Sequence, residues 1–291
     1  MGRVRVGTSG WTYAEWRGVF YPPDLPQRLE LEHVAARLPT VELNASFYAL
    51  QRPQSYLSWA QRTPPGFRFS VKGWRAVTHE RRLVDVQGAL AGFFGSGVLA
   101  LGEKLGAVLW QLPPSLRFDP EVLARFCALL PRTTTEAAEL TDGATGDPGG
   151  GERPLRHAVE VRHRSHERAE LVEVLRAHGV ALVTADTGGR WPLLQDQTAD
   201  FSYVRLHGSP ELYVSGYDDA ALDDWAGRVR AWSAGTTPPG ARPPAAPRAT
   251  EPMALTASAA PTDGRDVFVY FDNTTAARAP FDALALAERL S

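Results

Sequence analysis

Acids, bases and anion-binding groups recur at the ends of short apolar runs in this chain. The runs close on Gly7-Thr8-Ser9, Glu42-Leu43-Asn44, Val71-Lys72, Trp110-Gln111, Glu160-Val161-Arg162, Ala185-Asp186, Arg205-Leu206-His207 and Tyr270-Phe271-Asp272-Asn273. Glu42, Glu160 and Asp186 could serve as general acid and base once neighbouring charges push their pKa values apart. Lys72, Arg162 and Arg205 would grip an anion, and His207 joins them at a strand end. Of 31 basic residues only two are lysines, Lys72 and Lys104. A lysine can release its proton and act as base or nucleophile, whereas a guanidinium stays charged. The plainer alternative is a set of ion pairs that merely fills the end of a barrel.

What must position these groups is a series of strands. Strand-like runs alternate with helix-periodic ones, with helices expected near Leu29–Leu38, from about Pro53, and over Pro120–Leu130, Glu167–His178, Asp219–Trp232 and Ala276–Leu290. Eight such repeats predict a parallel (β/α)8 TIM barrel in one domain, residues 1–291. Helical signal is weak between the sixth and seventh strands, which leaves one irregular βα unit open. Side chains alternate across a strand. If the aliphatic residues face the helices, Glu42, Asn44, Lys72, Gln111, Glu160, Arg162, Asp186, Arg205 and His207 converge in the lumen. The last strand is two-way: Tyr270 and Asp272 share one face, Phe271 and Asn273 the other. In such barrels the active site lies at the C-terminal ends of the strands.

Composition narrows the function class. The chain is 44% hydrophobic with net charge −2, so no overall basic field advertises nucleic acid. The one cysteine, Cys127, excludes an intrachain disulfide and any multi-cysteine metal site. No leader-like segment and no apolar run of spanning length is seen, so a cytoplasmic protein without a membrane partner is expected. Among the seven histidines only His207 stands at a strand end with inward parity. His163 has the wrong parity, and His79, His157, His166 and His178 read as loop or helix. No metal site or cofactor is therefore expected, although a single divalent ion held by carboxylates stays open. Gly188-Gly189 lacks a nucleotide-binding context, and no nucleophile elbow surrounds Ser9. Segments at about 131–154 and 233–264, rich in Gly, Pro, Ala and Thr, read as flexible insertions before strands, on the face away from the site.

Several of these motifs together resemble a known family. Gly7-Thr8-Ser9-Gly10-Trp11-Thr12-Tyr13-Ala14-Glu15-Trp16-Arg17-Gly18 with Phe20-Tyr21-Pro22, and Glu42-Leu43-Asn44-Ala45-Ser46-Phe47-Tyr48, are similar to its first two motifs. Leu109-Trp110-Gln111-Leu112-Pro113-Pro114-Ser115, Val159-Glu160-Val161-Arg162-His163, Arg205-Leu206-His207-Gly208 and Tyr270-Phe271-Asp272-Asn273 follow in order. The chain thus resembles the domain-of-unknown-function 72, or YecE-like, family. The resemblance implies a TIM barrel and brings no reaction with it. His166 departs from the pattern, where tryptophan is expected.

The leading reading is an enzyme using acid–base and electrostatic catalysis on a small anionic substrate, phosphorylated or sugar-like. Hydrolysis, isomerisation and lyase chemistry all fit. The catalytic candidates are Glu42, Lys72, Glu160, Asp186 and His207. Candidates for holding substrate are Ser9, Trp11, Asn44, Tyr48, Gln111, Arg162, Arg205, Tyr270 and Asn273. Trp11 and Tyr48 are chosen for stacking because each follows a strand-end motif. Asn273 is chosen because barrels often hold phosphate between the last two strand-end loops, here Gly208-Ser209-Pro210 and Asn273-Thr274-Thr275. Two further readings stay open: nucleic-acid processing or binding, with arginines on phosphates and aromatics on bases, and a non-catalytic ligand sensor. The oligomeric state is unspecified. On parity alone, Glu160→Gln is expected to abolish ligand binding or turnover while the melting temperature stays within a few degrees, as checked by paired binding and melting measurements.

Overall fold

The computed structural model describes residues 1–143, 151–238 and 264–291. Eight parallel strands close into a barrel in sequence order: β1 (Val4–Ser9), β2 (Thr40–Leu43), β3 (Arg68–Lys72), β4 (Leu105–Gln111), β5 (Arg156–Glu160), β6 (Ala181–Asp186), β7 (Phe201–Leu206) and β8 (Asp266–Phe271). β8 pairs with β1 over Val4↔Val267 to Thr8↔Phe271, which seals the cylinder. The expected (β/α)8 TIM barrel is the fold.

Local chemistry explains most boundaries. Pro53 and Pro120 open the helices Pro53–Gln61 and Pro120–Leu129 at the position where a missing N–H costs nothing. Asp119 caps the second by accepting from the Glu121 and Val122 N–H groups. Asp218 caps Asp219–Ser233 through Ala221 N–H. No helix stands between β6 and β7, where residues 187–200 run as turns and coil. That unit carries no helix-period pattern, and the two strands still pair directly, Val183↔Tyr203 through Asp186↔Leu206. The last helix begins at Arg278 rather than Ala276, because Ala276 and Ala277 adopt left-handed backbone before it.

Two expectations need correction. The segment at about 131–154 contains a helix, Thr134–Glu139, capped by the Thr133 hydroxyl, and Thr133 bridges to Pro154. The rest of that segment, 144–150, and most of 233–264, from 239 to 263, lie outside the described residues. His157 belongs to β5, not to a loop. It points outward, where Nδ1 accepts from Trp110 Nε1 at 3.2 Å and Nε2 donates to the Pro131 carbonyl at 2.7 Å.

Strand parity sorts two cores. Val41, Leu43, Phe69, Val71, Val108, Trp110, Val159, Val204, Leu206 and Phe271 face the helices. The lumen is filled by Ala107, Leu109, Ala158, Ala181, Val183 and Ala185 on one side and Phe201, Tyr203, Phe268 and Tyr270 on the other. Small side chains on β4–β6 make room for aromatics from β7 and β8, so the interior is packed and any ligand must sit at an end. After Lys72 the chain turns away through Gly73, where a Cβ would lie 2.3 Å from the Trp110 ring.

Burial lowers the His157 imidazole to about 4, so the folded protein keeps it neutral where the unfolded chain, at 6.5, already binds a proton. Stability is thus full above pH 6.5 and declines as pH falls toward 4. Denaturant titrations at about pH 7.5 and about pH 5 should differ by on the order of 2 kcal/mol from this residue. His157→Gln should flatten that slope, and an unchanged slope would disprove the assignment.

Candidate functional site

One guanidinium organises the C-terminal mouth. Arg205, on β7 and fully buried, reaches carboxylates from three other parts of the barrel. Its Nε and Nη2 donate to Glu42 of β2 at 3.0 and 2.8 Å, Nη1 to Glu160 of β5 at 2.7 Å, and Nη2 to Asp272, just past β8, at 3.0 Å. Glu42 also accepts from the Ser9 hydroxyl at 2.5 Å and the Tyr203 hydroxyl at 2.7 Å. Glu160 takes Arg162 Nε at 2.6 Å. Ser9 Oγ in turn accepts Asn44 Nδ2 at 2.8 Å. His207 closes the ring, with Nε2 3.3 Å from Arg205 Nη1 and Nδ1 3.0 Å from Asp272 Oδ2. Since arginine only donates, Nε2 is the acceptor toward Arg205, while Nδ1 lies close to Asp272 without a hydrogen bond to it.

The electrostatics follow from that geometry. Burial opposes the charge on Glu160, but Arg162 and Arg205 outweigh it and hold the carboxyl well below the usual range. Asp272 is held low against burial by Arg205 and His207 in the same way. Burial also opposes charge on Arg205, and Glu42, Glu160 and Asp272 raise its pKa well above the ordinary value. Each member keeps its charge because the others are there.

Lys72 differs. It ends β3 at 9% exposure, and among the described residues its Nζ has no hydrogen bond or ion pair. It lies over the Phe47 ring, 4.4 Å from the centroid. Burial first, then the positive Arg205, push its pKa down to about 8, and the carboxylates only partly offset this. Beside it, His79 packs edge-on against Phe47 at 4.9 Å, and burial and the Lys72 charge lower its pKa to about 4. Arg162 stacks over Trp191 at 4.0 Å. Only its Nε meets a protein acceptor among the described residues, so both terminal nitrogens are free. Gln111, 6% exposed and on the lumen face of β4, likewise has no side-chain partner among them. Tyr213 stands edge-on to His207 at 5.5 Å.

The structure thus gathers Ser9, Glu42, Asn44, Lys72, Gln111, Glu160, Arg162, Arg205 and His207 at one mouth, and excludes five other candidates. Asp186 faces outward. Ala181, Val183 and Ala185 occupy the lumen phase of β6, so Asp186 shares the phase of Leu182 and accepts instead from Tyr217 OH at 3.1 Å and Gly188 N–H at 3.2 Å. Asn273 also turns outward, donating to Ser215 O at 3.0 Å and Asp282 at 2.7 Å. The phosphate position expected there is taken by the chain itself, since Glu15 accepts the Ala276 N–H at 3.0 Å. Tyr270 lies deeper, bonded to Thr40 and Ser70 hydroxyls at 2.7 Å each. Trp11 packs edge-on against Trp59 at 5.8 Å and Phe69 at 6.4 Å, on the helix side of the wall. Tyr48 is 69% exposed and touches Phe47 only from the outside. The unusual His166 is buried against Phe118, away from Arg205.

Asp272 was the residue that sequence reasoning passed over. Its signal was the parity it shares with Tyr270, which needed the register of β8 to resolve. Trp191 and Tyr213 come from loops, and His79 from the short π-helical turn Ala76–Glu80, none of which a periodicity announces. Among the described residues, no group of three or more His, Cys, Asp or Glu is arranged to hold a metal ion. The three clustered carboxylates are instead spread around a guanidinium. No helix among the described residues is long and apolar enough to cross a membrane.

Comparison with known proteins agrees with this architecture. The family described as "Protein of unknown function DUF72" matches residues 5–291. The UPF0759 protein YecE of Escherichia coli K12 is 23% identical over 241 residues, covering 81% of this chain and 84% of that protein. The UPF0759 protein YunF of Bacillus subtilis is 30% identical over 131 residues, 43% of this chain and 45% of YunF, so the match spans less than half of that relative. Among solved structures, a DUF72 family protein from Thermotoga maritima superposes with TM-score 0.73 at 25% identity, covering 99% of both chains. One from Enterococcus faecalis gives 0.67 at 16% identity, covering 99% of this chain and 95% of that one, and supports the fold alone.

The geometry reverses the expectation for Glu160→Gln. Glu160 is fully buried and neutralises two arginines, so losing its charge strands a positive centre. Arg205→Met should cost about 3–5 kcal/mol by stripping Glu42 and Asp272 of their guanidinium and leaving Glu160 to Arg162 alone, and Glu160→Gln a similar order. Chemical denaturation checks this, and a melting point within a few degrees of wild type in either variant would contradict it.

Proposed function

The chain belongs to the DUF72 family, and we propose that it is an enzyme that binds a small anionic substrate, phosphorylated or sugar-like, at the C-terminal barrel mouth and moves a proton on it through Lys72. The observation that carries this reading is the lone ammonium. Three carboxylates surround Arg205 and none approaches Lys72 within ion-pair distance. A lysine buried for structure alone would be expected to take one of them.

The roles divide by availability. Glu42 accepts four hydrogen bonds, and Glu160 and Asp272 are held ionised by arginine, so the three form the charged frame rather than the acid and base. His207 is locked between Arg205 and Asp272 and orients that frame. The free donors are the terminal nitrogens of Arg162, the Gln111 amide and Lys72, which together suit an anionic oxygen cluster. With its pKa near 8, Lys72 is neutral in an appreciable fraction slightly above neutrality, which suits a general base. His79 is neutral under the same conditions, with Nδ1 against the Thr78 hydroxyl at 2.8 Å, so it adds no competing charge beside Lys72. Trp191 and Tyr213 wall the opening and limit water.

A panel of phosphorylated sugars and 2-oxo acids incubated in deuterium oxide tests the assignment by NMR. Wild type should exchange a carbon-bound proton of at least one member, with a rate rising as pH climbs through about 8. Lys72→Arg keeps the charge but cannot release a proton in this range, so it should retain binding and lose exchange by at least about a hundredfold. Exchange surviving in Lys72→Arg would overturn the role of Lys72. Saturable binding without exchange across the panel would replace the enzyme with a non-catalytic sensor.

A further inference from the structure

The opposite end of the barrel holds a second concentration of cations. Arg3 just before β1, Arg5 of β1, Arg68 of β3, Arg153 before β5 and Arg156 of β5 line a cavity of ≈ 370 Å³, with Asp266 and Glu103 as the acidic lining. Asp266 is heavily committed: Oδ2 accepts from Arg156 Nη1 at 2.9 Å, Oδ1 accepts the Arg3 backbone N–H at 2.9 Å, and Arg5 Nη1 waits at 3.8 Å. Arg156 takes a second carboxylate, Asp200, at 3.3 Å. Arg68 donates only to the neighbouring Phe67 carbonyl, at 3.1 Å.

The planar groups lie against the base of the barrel's interior packing. Arg5, 7% exposed, sits over Phe268 at 5.5 Å, and Arg156 over Phe201 at 5.3 Å. Both rings belong to the lumen core. Their faces orient the guanidinium groups while leaving edges open to the cavity. Burial lowers the pKa of Arg5 and of Arg68; Asp266 and Glu103 offset part of that, and the arginines press on one another. An ion-pair cluster that served only the fold would bring a carboxylate to each guanidinium, as happens around Arg205. Among the described residues Arg3 and Arg68 have no carboxylate within ion-pair distance, and both line the cavity.

We propose that this N-terminal cavity is a binding site for a phosphate-bearing polyanion, gripped by Arg5 and Arg68 and flanked by Arg3 and Arg156. Guanidinium forks match phosphate oxygens two at a time, and two linked phosphoryl groups would engage both inner arginines together. The site is separated from the C-terminal mouth by the packed lumen, and its existence does not depend on the reaction assigned there.

Titration calorimetry on the full chain tests this with inorganic pyrophosphate and with adenosine diphosphate, each against sodium chloride of matched ionic strength. A saturable site that survives Arg162→Ala is expected, whatever the C-terminal mouth binds in addition. Arg68→Gln should weaken it by at least about tenfold, the loss of one charge-assisted contact. Among the described residues Arg68 has no carboxylate within ion-pair distance, so this variant should fold, and a wild-type melting point verifies that. Arg3→Gln, changed at an exposed side chain, provides a second reading in the same direction. Arg162→Ala, at the other mouth, should leave the affinity unchanged. Equal affinity for both probes identifies a bare phosphoryl unit, and tighter diphosphonucleoside binding identifies a nucleotide. No heat beyond matched salt, or a loss confined to Arg162→Ala, would overturn the proposal.

Discussion

The mouth of this barrel depends on a single desolvated cation. Arg205 satisfies Glu42, Glu160 and Asp272 at once, and those residues arrive from β2, β5 and the end of β8. Each of these charges would be prohibitively costly to bury alone. Together they form a closed frame in which burial opposes every charge and neighbouring charges restore it. The frame also ties together strands far apart in the chain, so the shape of the mouth and its potential are set by the same contacts.

That arrangement inverts the first chemical reading of the sequence. A row of carboxylates suggests acid–base pairs, but Glu42 is tied up by arginine and hydroxyl donors, and arginine holds Glu160 and Asp272 well below the usual carboxylate range. The acidic groups near Lys72 are already taken, so among the described residues its ammonium meets only the Phe47 ring and has lowered basicity. Its scarcity in an arginine-rich chain fits this, since only lysine offers a proton that can leave.

The two ends of the barrel pose the same problem and solve it differently. At the C-terminal mouth one arginine meets three carboxylates; at the N-terminal end several arginines share Asp266. Between them lies a lumen divided by volume, with alanines of β4–β6 against aromatics of β7 and β8. That packing pushes every polar group toward one rim or the other. It also decides parity, because the small residues of β6 must enter the lumen to accommodate Phe201, Tyr203, Phe268 and Tyr270. Asp186 is turned outward as a result.

By itself the sequence determined the barrel, the position of its strands, and most of the inward set. A polar residue flanked by aliphatics at period two has only one phase that keeps the aliphatics dry, and this sufficed for Glu42, Lys72, Glu160, Arg205 and His207. It did not determine Asp186, Asp272 or Asn273, whose flanking residues are compatible with either phase. Nor did it separate Trp11 and Tyr48 from Trp191 and Tyr213, because loop aromatics carry no periodic signal. Only the tertiary structure decided which charges cancel and which remain. Pairing is a matter of distances of a few ångströms between strands remote in sequence, and the desolvation that makes those distances matter exists only once the barrel has closed.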